Sequence, residues 1–141
     1  VMSPYGLFVI ETKNYKGWIF GSERQKQWTQ TIYRQKHKFQ NPIHQNYKHI
    51  KTLESLFADL VPPNVFISIV VFVGSAEFKS KLPKGVFLDR DWIEYIKTFQ
   101  SEVISPDQLM MIHQRLEIAS LEKSWKTNRE HVKNLRQRKQ P

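Results

Sequence analysis

Glu11 and Lys13 stand two residues apart in the segment GLFVIETKNYKG, Gly6 to Gly17, and are the residues of this chain best suited to chemistry. Leu7, Phe8, Val9 and Ile10 lead into them as a β-branched and aromatic run, opened by the turn signals Pro4 and Gly6. This reads as a buried strand. Strand side chains alternate between faces, so Glu11 and Lys13 share one face while Phe8, Ile10 and Thr12 take the other. A carboxylate and an ammonium on a mostly buried strand are costly unless they serve each other, a metal or a substrate. The triplet by itself is uninformative, because such common residues recur at this spacing by chance and a surface strand pairing its own charges would read the same way. Metal-dependent cleavage of a phosphodiester would give the pair a purpose. A hard cation such as Mg²⁺ takes carboxylate oxygens, while an adjacent ammonium positions the attacking water or offsets charge growing on the phosphate.

Other chemistries find less support. No G-x-x-x-x-G-K-[ST] loop, G-x-G-x-x-G turn, H-E-x-x-H helix or G-x-S-x-G elbow occurs. Of His37, His44, His49, His113 and His131, only His44 and His49 are near neighbours, and positions five apart do not share a helical face. The absence of cysteine excludes disulfides, thiolate zinc sites and cysteine nucleophiles, and it permits the expected cytoplasmic location.

The elements that must position the pair follow from pattern. The 141 residues, 40% apolar and 25% charged, suit a single core. Asn14 to Gly17 reads as a turn and Trp18 to Phe20 as a return strand, which predicts a hairpin with the first strand. Residues 23–40 are polar and carry a basic cluster, Arg34, Lys36, His37 and Lys38, which reads either as a phosphate-binding surface or as a solvated loop or edge strand. Asn41 and Pro42 start a helix predicted to run to about Leu60, before Pro62 and Pro63. Gln45, Lys48, His49 and Thr52 fall on its polar side within reach of one another. Val65 to Val73, VFISIVVFV, is apolar on both faces and belongs at the centre of a covered sheet, with the preceding helix as a crossover. Val86 to Leu88 reads as a short strand, and Asp89 or Asp91 as the cap of a helix carrying Trp92, Ile93, Ile96 and Phe99. Ser105-Pro106-Asp107-Gln108 opens a further helix with the stripe Leu109, Ile112, Leu116 and Ala119.

Charge points outward. Lys and Arg number 22 against 13 Asp and Glu, a net +9, which favours polyanions: nucleic acid or an anionic membrane surface. The most apolar window is too short to span a bilayer as a helix, and the amino end lacks a signal-peptide pattern. From Lys123 onward Lys126, Arg129, Lys133, Arg136, Arg138 and Lys139 are opposed only by Glu130, beside a thin stripe of Leu121, Trp125, Val132 and Leu135. This tail reads as a linker or loosely docked helix, with a nucleic-acid-binding arm or a helix docking on a partner as the other options.

Gly6-Leu7-Phe8-Val9-Ile10-Glu11-Thr12-Lys13-Asn14, then Gly17-Trp18, Asn41-Pro42 with Gln45, and the Val70-Val71-Phe72 of the central strand together resemble the nuclease-related domain family, within the PD-(D/E)xK, restriction-endonuclease-like superfamily. The resemblance covers roughly residues 3–116. It implies an α/β fold with a mixed central sheet flanked by helices, extended by a helical carboxyl-terminal segment, and a nuclease cutting DNA with Mg²⁺ or Mn²⁺. Glu11 would be the metal ligand and Lys13 and Gln45 its catalytic companions; Arg34, Lys36, Lys38 and Lys48 are, on their charge, the expected nucleic-acid contacts. On this reading residues 1–119 form the nuclease-related domain and residues 120–141 the basic tail. The resemblance also implies an aspartate on the strand before Glu11, which Val1 to Tyr5 does not contain; the expectation is an amino-terminal truncation whose open sheet edge favours a homo-oligomer. The alternative is a non-catalytic nucleic-acid-binding or assembly module.

Overall fold

The structure, a computed structural model, describes residues 1–138. Lys139 of the basic tail therefore lies outside the described residues. Eight strands and three helices follow in the order β1 (Met2–Ser3), β2 (Gly6–Asn14), β3 (Gly17–Phe20), β4 (Gln27–Ile32), β5 (Gln35–Gln40), α1 (Pro42–Leu56), β6 (Phe66–Val73), β7 (Ala76–Phe78), β8 (Val86–Leu88), α2 (Asp91–Lys97) and α3 (Pro106–Arg138). The architecture is α/β, with mixed sheets flanked by helices.

The first sheet has the order β1-β2-β6-β8, with β1 antiparallel and the other pairings parallel. The apolar run around Val70 does sit inside this sheet, aligned with β2 from Leu7 beside Phe66 to Asn14 beside Val73. Its two faces are covered differently. Leu7 and Phe66 pack beneath α1 and the start of α3, through Ile50, Phe57 and Ile112. Phe8, Ile69 and Val71 pack against Trp92, Tyr95, Ile96 and Phe99 around α2. The second sheet, β5-β4-β3-β7, lies on the α1 side, where Ile19, Trp28, Phe39 and Phe78 meet Val70 and Phe72. Trp28 stacks on Phe72 with ring centroids 6.0 Å apart.

The expected hairpin of β2 with β3 does not form. β6 takes the place beside β2, and β3 pairs with β4 and β7 in the other sheet. The Tyr15 amide still donates to the Val73 carbonyl, but the Tyr15 ring turns under the second sheet onto Phe39, at 4.7 Å between centroids. Gly17 then passes tightly over β4 at φ 77°, where a Cβ would stand 2.3 Å from the Thr31 carbonyl oxygen. A continuous apolar strand buries more surface beside β2 than the short Trp18–Phe20 segment, which explains the choice of partner.

Residues 23–40 are more ordered than their polarity suggests. They contain the β4–β5 hairpin, whose two-residue turn places Tyr33 and Arg34 at φ 47° and 71°. β5, carrying the basic cluster, is an edge strand. α1 starts at Pro42 as expected, with the Asn41 side chain accepting from the Ile43 amide at 2.8 Å, but ends at Leu56 with Phe57 as its cap, four residues early. Neither Asp89 nor Asp91 caps α2: Asp91 is its first residue, and Asp89 has left the helical region at φ 48°. At the start of α3 the expected box is complete, the Gln108 amide donating to Ser105 Oγ at 3.2 Å and the Ser105 amide to Gln108 Oε1 at 2.8 Å. Residues 120–138 continue α3 without a break.

Candidate functional site at the β2–α1 notch

Alternation along β2 brings Leu7, Val9, Glu11 and Lys13 to the face that α1 covers. Leu7 and Val9 enter the core. Glu11 and Lys13, beside Val70 and Phe72, lie where α1 gives way to the second sheet, at the carboxyl-terminal end of two parallel strands. In α/β sheets that end is where ligands bind. Both side chains are sheltered, each 17% exposed.

Lys13 Nζ stands 3.1 Å from Glu11 Oε1 and donates to Gln45 Oε1 at 2.9 Å. The second carboxylate oxygen, Glu11 Oε2, faces His49 Nε2 at 3.6 Å. Four residues separate Gln45 from His49, one helical turn, so α1 lowers both onto the same pair. A lysine ammonium has three donors. Two are directed at Gln45 and Glu11, which leaves one for a water or an anionic oxygen.

Asn46 makes this register possible. It is buried, and its Nδ2 donates to the Val9 carbonyl at 2.9 Å and to Ser68 Oγ at 2.8 Å, tying α1 to β2 and β6 at once. Asn41 fixes the start of the helix in the same manner, donating to the Gln25 and Glu23 carbonyls at 2.7 and 3.0 Å. Sequence reasoning missed Asn46. Its signal was a polar residue on the inner side of α1, matched by Ser68 as the lone hydroxyl within an apolar strand.

The structure thus brings together Glu11, Lys13 and Gln45, and adds His49. Lys48 is exposed on α1 next to them, and Thr52 Oγ1 donates back to the Lys48 carbonyl. Arg34, Lys36 and Lys38 belong elsewhere. Cross-strand pairing of Trp18 with Thr31 and Thr31 with Lys36, and of Phe20 with Thr29 and Thr29 with Lys38, puts all six on the outer face of the second sheet. Lys38 Nζ donates to Thr29 Oγ1 at 2.7 Å, and Lys79 Nζ lies 4.9 Å from the centre of the Trp18 ring. Tyr33, 97% exposed, and Arg34 rim a hollow of about 440 Å³ beside Trp18. Thr31 Oγ1 in that hollow is buried without a hydrogen-bond partner among the described residues. Trp18 and Phe20 were read from sequence only as strand residues, although alternation around the buried Ile19 already placed them on the opposite face.

The donor set bears on a cation. Among the described residues no group of three or more His, Cys, Asp or Glu is arranged to hold a metal ion. One sheltered carboxylate, its oxygens facing Lys13 and His49, suits at most a hard cation that takes its remaining ligands from water and substrate phosphate, as Mg²⁺ commonly does. It does not suit an ion held by protein ligands alone.

The fold and the notch define an α/β protein with a carboxylate, an ammonium and an amide converging at the carboxyl ends of parallel strands. The family of the nuclease-related domain (NERD) matches residues 1–73, the segment from β1 through β6 that contains every residue of the notch, and this chain belongs to that family. The chain is similar to an uncharacterized protein of Bacillus anthracis, 38% identical over 140 residues. That alignment covers 96% of this chain and 64% of the relative, so the chain spans less than two thirds of the relative's length. No solved structure matches it. No helix among the described residues is long and apolar enough to cross a membrane.

Proposed function

We propose that this chain is a nuclease domain that hydrolyses DNA phosphodiesters with Mg²⁺ or Mn²⁺. The observation that carries the reading is the convergence of Lys13 on both Glu11 and Gln45, within a segment matched by the nuclease-related family. Glu11 would hold the cation, which supplies charge stabilisation at the phosphate when bound. The Lys13 ammonium presents its remaining donor to a non-bridging phosphate oxygen, or to the water that attacks phosphorus. Water adds to phosphorus and one ester bond breaks, leaving a phosphomonoester and a free hydroxyl. Gln45 keeps Lys13 aimed, and His49 limits the movement of the Glu11 carboxylate. Lys48 beside the notch, and Arg34, Lys36 and Lys38 with Trp18 and Phe20 on the second sheet, serve as polynucleotide contacts: the cations for phosphates, the exposed rings for bases.

The test is cleavage of plasmid and linear DNA with Mg²⁺ or Mn²⁺ by the wild-type chain, Glu11→Gln and Lys13→Ala. Each substitution should lower the rate by about 10²–10³-fold, the scale of losing a charge-stabilising group. Equal cutting by wild type and Lys13→Ala would refute the assignment.

The single carboxylate at the notch favours a second reading, a non-catalytic nucleic-acid-binding or assembly module. It predicts salt-sensitive DNA binding without cleavage, unchanged in Glu11→Gln.

A further inference from the structure

α3 carries two apolar stripes on different sides. Leu109, Ile112 and Leu116 pack into the body. Ile118, Leu121, Trp125, Val132 and Leu135 are all exposed, Trp125 to 65%, and they repeat at alternating steps of three and four residues once Asn128 is counted among them. Leu109 and Ile118 are about two and a half turns apart, so the second stripe faces away from the body. Every residue from Ser120 to Leu135 is exposed. Hollows of about 440 and 380 Å³ lie along this stripe on either side of Trp125, bounded by Val132 and Arg129 toward one end and by Leu121 and Glu122 toward the other. A three-four repeat with hollows between its large residues is a coiled-coil seam without its partner helix.

We infer that the seam of α3 pairs with the seam of a second copy of this chain, in antiparallel orientation. Charge selects both occupant and direction. Aligned antiparallel, Ile118 meets the partner's Leu135, Leu121 meets the partner's Val132, and Trp125 meets the partner's Asn128, each contact occurring twice by symmetry. The flanking positions then place Glu122 against the partner's Arg129 and Arg129 against the partner's Glu122. A parallel pair stacks Asn128 on Asn128 and sets Glu117 against the partner's Glu122, a like-charge contact. The helix is also basic at Lys123, Lys126 and Lys133; Lys126 and Lys133 border the two hollows, and none of the three takes a three-four position of the seam.

Sedimentation of the wild-type chain across the micromolar range should show a reversible monomer–dimer equilibrium. Glu122→Arg should raise the dimer dissociation constant on the order of tenfold or more, because two opposite-charge contacts become like-charge ones. The swap Glu122→Arg with Arg129→Glu should restore it, which no general loss of fold would do. The chain has no cysteine, so direction can be read from introduced ones. A mixture of Leu121→Cys and Val132→Cys chains should oxidise mainly to the mixed dimer. A monomeric wild type, failure of the swap to restore dimers, or preferential Leu121→Cys self-linkage would overturn the inference. So would dimers indifferent to Glu122→Arg, which would point to another contact such as the stretch of β2 beyond the short β1, or a monomeric chain that pelleted with anionic vesicles through Trp125.

Discussion

The notch beneath α1 and the far end of α3 use the same kinds of residues in opposite ways. At the notch Glu11 and Lys13 are sheltered, and Lys13, Gln45 and Asn46 all find partners within the chain. Along α3 beyond Leu116, exposed Ile118, Leu121, Trp125, Val132 and Leu135 turn away from the body. A polar cluster satisfied inwardly can hold geometry for chemistry, whereas an apolar row left in water marks contact with something else. Helix α3 itself changes setting along its length, its first three turns packed into the apolar core and its residues from Ser120 to Leu135 exposed.

The largest test of that contrast compares two substitutions on α3. Ile112 is 1% exposed within the core, so Ile112→Ala should destabilise the folded chain by about 2–5 kcal/mol. Leu121→Ala, measured at concentrations low enough to keep the chain monomeric, should stay within about 0.5 kcal/mol. Denaturant midpoints with unchanged slopes would read both. Similar losses at the two positions would mean that the seam is already covered by the chain itself, and the distinction between the two stretches of helix would fail.

A smaller effect is expected at Asn46, where the notch depends on the core. Asn46→Ala removes two bonds and leaves the Val9 carbonyl and the Ser68 hydroxyl, both partly buried, without this donor. The cost should be about 1–3 kcal/mol. DNA cleavage should fall further than that loss of folded protein explains, because Gln45 and His49 reach Glu11 and Lys13 only in the register that Asn46 sets. Thermal unfolding and cleavage measured on the same sample, with Asn46→Ser,Ser68→Ala as a second variant, separate the two. If cleavage tracks the folded fraction alone, Asn46 is structural and the notch does not rely on it.

What could be read from sequence divides along the same physical line. Alternation in GLFVIETK assigned Glu11 and Lys13 to one face, and Asn41-Pro42 assigned the start of α1, because strand period and helix capping are local. The family resemblance supplied Gln45 as their companion, and the fold brings it to 2.9 Å from Lys13. The partner of β2 was not legible. Trp18 to Phe20 and Val65 to Val73 are both competent strands, and the decision between them rests on long-range burial. The β4–β5 hairpin was missed because its turn uses Tyr33 and Arg34 at positive φ, where glycine or asparagine would have announced it. Asn46 escaped notice because its partners, Val9 and Ser68, are distant in the chain. The exposed seam of α3 was visible as a thin stripe, but only the fold shows which side of the helix the body already occupies.

The smallest expected effect lies at the junction between the two regions, where Arg115 is, among the described residues, the last α3 side chain bonded to the body. Its Nη1 donates to the Leu56 carbonyl at 2.8 Å and to Asp59 Oδ1 at 2.6 Å, while Nη2 donates to Asp59 Oδ2 at 3.0 Å. The two-pronged bond from Arg115 holds the Asp59 carboxyl below its ordinary pKa of 3.8. A carboxylate depressed on folding contributes stability above its unfolded pKa and loses that contribution as pH falls through the folded value. The wild-type advantage over Asp59→Asn should therefore be present at neutral pH and shrink only below about pH 4. Both groups are solvated, so the advantage should be small and should weaken with salt. Denaturation midpoints of the two proteins between neutral and acid pH will show whether it does. A difference that persists unchanged into acid would mean that the junction is held by the Arg115 bond to Leu56 and the packing of Leu116, with the ion pair contributing nothing to where the body ends and the free helix begins.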